Sequence, residues 1–135
     1  MLLYTTRKFD IHTCVLDSNP EAPCKIACDE FFVGDLMDFD TVFEFGKKVN
    51  TLTIEIENVN VEALKALEKE GISVYPSAEA LATIQNKAKQ KLFYVDHDLP
   101  TAGFTRYAYR DELKRAIKNE EQALPLLGKR EQLGY

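Results

Sequence analysis

The sequence is poor in the features that would give a function away. It has three cysteines, two histidines, five prolines and six glycines in 135 residues. Three cysteines cannot build a disulfide framework, and the Cys24/Cys28 pair has no nearby histidine to complete a four-ligand zinc site; free thiols are the expected state, and no metal site is expected. No apolar run approaches the ~20 residues of a membrane-spanning helix. Met1-Leu2-Leu3-Tyr4 turns polar at once and has no resemblance to a signal peptide, so a cytoplasmic address is expected. Basic excess is also missing. Seventeen Lys and Arg stand against 22 Asp and Glu, a net charge of -5, which argues against a broad electrostatic grip on nucleic acid. There are no internal repeats and no low-complexity stretches. What remains is 45% apolar and 29% charged, ordinary for a globular chain.

Apolar periodicity alternates between helix and strand along the chain. Leu2, Leu3 and Phe9 fall in a short helix, and Ile11 to Leu16 in a strand closed by the turn residues Asp17-Ser18-Asn19-Pro20. Phe31-Phe32-Val33 reads as a second strand. Asp38 or Asp40 caps a helix holding Val42, Phe43 and Phe45. Thr51 to Ile56 alternates cleanly, with Leu52, Ile54 and Ile56 on one face. Asn60 caps a helix carrying Val61, Leu64 and Leu67 and stopped by Gly71. Ile72 to Tyr75 is another strand.

From Ser77 the rhythm lengthens. Leu81, Ile84, Ala88 and Leu92 recur at helical spacing toward Val95, with room for one break, and Leu99-Pro100 closes the pattern. Phe104 to Tyr107 is expected as a strand. Asp111 is expected to cap a helix with Leu113, Ala116 and Ile117, before a short apolar run at 124–127. Strands separated by helices imply βαβ units and a mainly parallel, Rossmann-like sheet. Such a sheet normally opens with a strand and a glycine-rich turn, which this sequence does not show.

An ordered series of short segments carries a family resemblance. Val15-Leu16-Asp17, Asn19-Pro20-Glu21-Ala22-Pro23-Cys24, Leu52-Thr53-Ile54-Glu55-Ile56-Glu57-Asn58-Val59, Val74-Tyr75-Pro76-Ser77, Gln85-Asn86-Lys87, Gln90-Lys91 and Leu99-Pro100-Thr101-Ala102 resemble the 5-(carboxyamino)imidazole ribonucleotide synthases of purine biosynthesis, which are ATP-grasp enzymes. The resemblance implies a pre-ATP-grasp domain over residues 1–76, without its first strand and glycine-rich loop, and the start of an ATP-grasp domain over 77–135. It implies that Met1 aligns with the methionine ending that loop, and that the missing strand would lie between those at 11–16 and 51–56. The chain is accordingly expected to be a fragment, marginally stable and inactive alone.

The same resemblance implies the chemistry. ATP phosphorylates bicarbonate to carboxyphosphate, and the amine of aminoimidazole ribonucleotide is then carboxylated. Phosphoryl transfer of this kind rests on positioning and charge neutralisation. Lys87 aligns with a basic ATP-contacting position that is usually arginine, and Lys129 with the lysine reaching the nucleotide phosphates. Lys91 ranks below both. Glu55 aligns with an acid that binds a ribose hydroxyl of the nucleotide substrate. Read without the family, Lys87 is a solvated helix lysine and Glu55 an exposed strand acid. Magnesium is implied as the companion of ATP, with its ligands outside this chain, and a homodimer is implied for the full-length protein. Glu131 and Leu133 depart from the family pattern near Lys129. Asp17 is expected to shape a turn, and His12 and His97 to be structural or exposed. Two other readings stay open: a non-catalytic Rossmann-like binding or regulatory module, and the related formate-dependent glycinamide ribonucleotide transformylase, which shares the Glu55-Ile56-Glu57 element.

Overall fold

The computed structural model describes residues 2–119. The expectations for Lys129, for the run at 124–127 and for Glu131 and Leu133 lie outside the described residues. The chain divides into two compact units, Met1–Ala82 and Thr83–Tyr135.

In the first unit, α1 (Leu2–Arg7) leads into β1 (Cys14–Asp17). A short 3-10 turn over Pro23–Ile26 precedes β2 (Glu30–Val33). Then come α2 (Phe39–Gly46), β3 (Thr51–Thr53), α3 (Val61–Lys69), β4 (Ser73–Tyr75) and α4 (Ala78–Gln85), the last crossing the boundary between the units. β1 pairs parallel with β2, matching Val15 to Phe31 and Leu16 to Phe32. β3 pairs parallel with β4, matching Leu52 to Val74. Among the described residues these are two separate two-stranded sheets, and β1 and β3 share no ladder.

Local chemistry sets the element ends. The Asp38 carboxylate accepts the Thr41 amide at 2.8 Å and starts α2. The Asn60 side-chain oxygen accepts the Ala63 amide at 2.9 Å and starts α3. At the far end of α3 the Ile72 amide reaches back to the Leu67 carbonyl, which demands a left-handed residue between helix and strand; Gly71, at φ +90°, supplies it. Asp10 after α1 and Asp98 later in the chain adopt the same left-handed turn, each at φ +53°.

The core is one cluster. Val42 and Phe45 of α2, Ala63, Leu64 and Leu67 of α3, Leu52 of β3, Val74 of β4, and Ala78 and Leu81 of α4 are all buried in it. Cys14, Leu16 and Phe32 of the first strand pair pack against it half-buried. Phe32 meets Phe45 edge to face at 5.6 Å. By contrast, α1 buries nothing, and Leu2, Phe9 and Ile11 are exposed.

Three expected strands change. The strand expected from Ile11 begins only at Cys14 and runs to Asp17, because the β2 ladder starts at Glu30, opposite Cys14. The alternation over Thr51 to Ile56 yields a ladder of only three residues. The Ile54 amide still donates to the Tyr75 carbonyl at 2.9 Å, but Glu55–Glu57 bend away and Ile56 is exposed. Alternation records facing only while the partner strand persists, and β4 ends at Tyr75 before the cis Tyr75-Pro76 bond.

In the second unit, α5 (Lys87–Asp96) follows a break at Asn86, whose side chain accepts the Lys89 amide at 2.9 Å. Phe104 to Tyr107 is irregular, not a strand. Phe104 is exposed and Tyr107 half-buried, and no described strand offers the segment a ladder. The last described helix, α6 (Arg110–Lys118), begins after Tyr109, so Asp111 is in its first turn and is not the cap. Glu112 does the capping work, accepting the Ala108 and Tyr109 amides at 3.1 and 3.3 Å.

Candidate nucleotide site

Open parallel sheets present ligands at the carboxyl ends of their strands. At the end of β1, the Asp17 carboxylate accepts the Asn19 amide at 2.8 Å, and its carbonyl accepts the Gly34 amide at 3.1 Å. Asp17 is thus a turn former, as its position in the sequence implies. Gly34 is needed there, because a Cβ would lie 2.5 Å from the Thr41 methyl and 3.3 Å from Leu16.

At the end of β3, Glu55 is exposed in the bend that leads to Asn60. Asn58 beside it is half-buried. The chain is anchored just after the bend. Val59 is buried, and the Asn60 side chain donates to the Met37 carbonyl at 2.8 Å while its backbone amide donates to Leu36. Glu55 itself is exposed ahead of this anchor.

Lys87 opens α5 in the second unit, half-buried, with Nζ 3.4 Å from the Ile84 carbonyl. Lys91, one turn on, is committed elsewhere. It donates to Thr101 Oγ1 at 2.6 Å and to the Ala102 carbonyl at 3.4 Å, and lies 5.6 Å from the Phe104 ring centre. Of the two lysines, Lys87 has the weaker internal hold. Glu55 and Lys87 belong to different units.

One group of side chains escapes the sequence reading. His12, Cys14 and Glu30 converge at the amino ends of β1 and β2. The pattern hidden in the sequence is His-x-Cys leading into one strand, with an acid at the start of the next. Cys14 and Glu30 are a matched pair in the parallel register. Burial, then the Glu30 and Asp29 carboxylates, push the Cys14 thiol pKa up. Asp29 is pulled the other way by hydrogen bonds from the Thr13 hydroxyl (2.8 Å) and the Thr13 amide (2.7 Å). All three cysteines are free and half-buried.

Comparison with known proteins decides the family. Residues 1–85 match the model of the ribonucleotide synthetase pre-ATP-grasp domain. The chain belongs to this family. The pre-ATP-grasp chain is 32% identical over 114 residues to the chloroplastic phosphoribosylaminoimidazole carboxylase of Vigna aconitifolia, a match covering 84% of the chain and 20% of that protein. It is 31% identical over 129 residues to the formate-dependent phosphoribosylglycinamide formyltransferase of Prochlorococcus marinus, covering 93% of the chain and 33% of that enzyme. Among solved structures, the N5-carboxyaminoimidazole synthase of Aspergillus clavatus, in complex with ADP and 5-aminoimidazole ribonucleotide, superposes with a TM-score of 0.77 at 28% identity. That match covers 90% of this chain and 32% of the other. The N5-carboxyaminoimidazole ribonucleotide synthetase of Thermotoga maritima gives 0.76 at 26% identity, over 84% and 31% of the two chains. The chain therefore spans about a fifth of the curated carboxylase and about a third of the solved synthases.

Proposed function

We propose that this chain forms the substrate-side layer of an ATP-dependent ligase that carboxylates the amine of 5-aminoimidazole ribonucleotide, with bicarbonate as the carbon source. The family match over residues 1–85 carries the proposal. The synthase bound to ADP and aminoimidazole ribonucleotide lends it the substrate class. In this reading the exposed Glu55 carboxylate accepts a hydrogen bond from a ribose hydroxyl, a charge-assisted contact. Lys87 offers a point charge to the ATP phosphates, where the more usual arginine would offer a planar fork. Lys129 provides a second such charge. Magnesium would accompany ATP. Among the described residues the one group of three or more metal-capable side chains includes a nitrogen and a sulfur ligand, which does not suit that hard ion. A homodimer of the full-length protein belongs to the same proposal, as does a cytoplasmic address.

The formate-dependent glycinamide ribonucleotide enzyme is the second reading, favoured by a match that reaches 93% of the chain. Titrating the isotope-labelled chain with either ribonucleotide separates the two. Aminoimidazole ribonucleotide should shift the amides of Asp17 and of Glu55 to Asn58, and Glu55→Gln should weaken its binding by roughly tenfold, the value of one charged hydrogen bond. Glycinamide ribonucleotide acting alone on the same amides would favour the second reading. Silence toward both at millimolar concentration would remove the substrate role from this layer.

A further inference from the structure

We propose that His12, Cys14 and Glu30 form a binding site for a divalent transition-metal ion of the zinc class. The site stands apart from the nucleotide chemistry, because it sits at the amino ends of β1 and β2, whereas Asp17 and Glu55 lie at the carboxyl ends of their strands.

Backbone geometry brings the ligands together. His12 lies two residues ahead of Cys14, in the irregular segment that leads into β1. Parallel register sets Glu30 directly opposite Cys14. The imidazole, thiol and carboxylate donor atoms all lie within 4.8 Å of one another. His12 Nε2 is already 3.0 Å from Glu30 Oε1, close to the roughly 3.3 Å between nitrogen and oxygen ligands of a tetrahedral zinc with bonds of about 2.0–2.1 Å. Closing the sulfur onto the same centre takes a rotamer adjustment on the order of 1 Å. The backbone beneath is fixed by the Thr13–Asp29 clamp, in which the Asp29 carboxylate takes two hydrogen bonds from Thr13, and the Asp29 and Glu30 amides both donate to the Thr13 carbonyl. Cys14 and Glu30 are thus carried on a locked pair of strands, and His12 sits directly before the clamped Thr13.

The donor set selects the ion. One nitrogen, one sulfur and one carboxylate oxygen suit zinc or cobalt and are foreign to magnesium or calcium. Three protein ligands leave the fourth tetrahedral position to water. The His12 and Glu30 side chains are 65% and 55% exposed, so that water and the ion reach the site from solvent. Binding replaces the hydrogen on the Cys14 sulfur, and that proton leaves to solvent. The His12–Glu30 contact is replaced by two bonds to the metal.

Cobalt(II) titration of the untagged, reduced 135-residue protein reads this directly, because a thiolate bound to cobalt absorbs in the near ultraviolet. One equivalent should produce that band, and zinc should abolish it by competition. The Cys14→Ser variant should lose the band. His12→Ala, at an exposed position with little bearing on folding, should keep native circular dichroism and bind roughly tenfold or more weakly, at least the loss seen on removing an outer-shell partner. The Cys24→Ser/Cys28→Ser double variant should behave as the parent. Absence of the band at micromolar cobalt and protein would overturn the proposal. So would a band that survives Cys14→Ser or His12→Ala at full strength, or one that disappears in the Cys24/Cys28 variant.

Discussion

Asn60 does two things with one amide. Its oxygen accepts the Ala63 amide at the start of α3, and its nitrogen donates to the Met37 carbonyl 23 residues earlier. The sequence announces the cap, because asparagine before an amphipathic run is a recognised start signal. It does not announce the second bond, which depends on where residue 37 comes to rest. Asn60→Ala should cost about 1 kcal/mol from the cap alone, and more from the tether. Asn60→Asp should keep the cap and lose the donor, so urea denaturation of the two variants separates the contributions. The aspartates give a pH prediction. Asp29 and Asp38 have their carboxyl pKa values lowered, by hydrogen bonds from Thr13 and Thr41 respectively. An acid with a lowered folded pKa stabilises the fold above its unfolded value, near pH 4, and loses that stabilisation as the pH falls through the folded value. Stability should therefore decline below about pH 4, and thermal melts of Asp29→Asn should show a shallower decline than the parent over that range.

Elements were legible in the sequence where a local signal sets them. Asp38, Asn60 and Gly71 mark their helix ends in the open, and the break at Asn86 falls within the long helical pattern read from Ser77 to Val95. The misses have a common cause, since each depended on a partner that only the folded chain supplies. Ile56 alternates correctly but outlasts β4. Phe104 to Tyr107 has strand composition and no described neighbour to pair with. Asp10 and Asp98 take the left-handed turns that glycine would have advertised. The His12, Cys14 and Glu30 group was invisible for the same reason, being created by the register between two strands. The packing of α2 on α3 offers a test at this scale. A Cβ on Gly46 would collide with the Leu67 side chain, which is fully buried. Gly46→Ala should therefore destabilise by about 1–3 kcal/mol through overpacking, despite alanine's better helix propensity. A chemical denaturation midpoint unchanged or raised by Gly46→Ala would contradict that packing.

Over the first unit as a whole, backbone pairing and side-chain packing divide the labour unevenly. The two strand pairs share no hydrogen bonds in any ladder, yet side chains from both meet in one core. β3 and β4 enter it through the buried Leu52 and Val74, whereas β1 and β2 enter through half-buried Cys14, Leu16 and Phe32. Sheets normally couple their strands twice, by ladder and by packing, and here the first coupling stops at each pair. Amide exchange should grade accordingly, with Leu64 and Leu67 of α3 slowest and the β1–β2 ladder opening earlier, in a separate step. Uniform protection across both strand pairs would mean that packing alone binds them into one unit. The consequence is mechanical: the β1–β2 pair is fastened to the rest like a panel held by its rivets and not by its weave. Any ligand that spans β1 and β2, a metal ion included, tightens the panel without touching the frame.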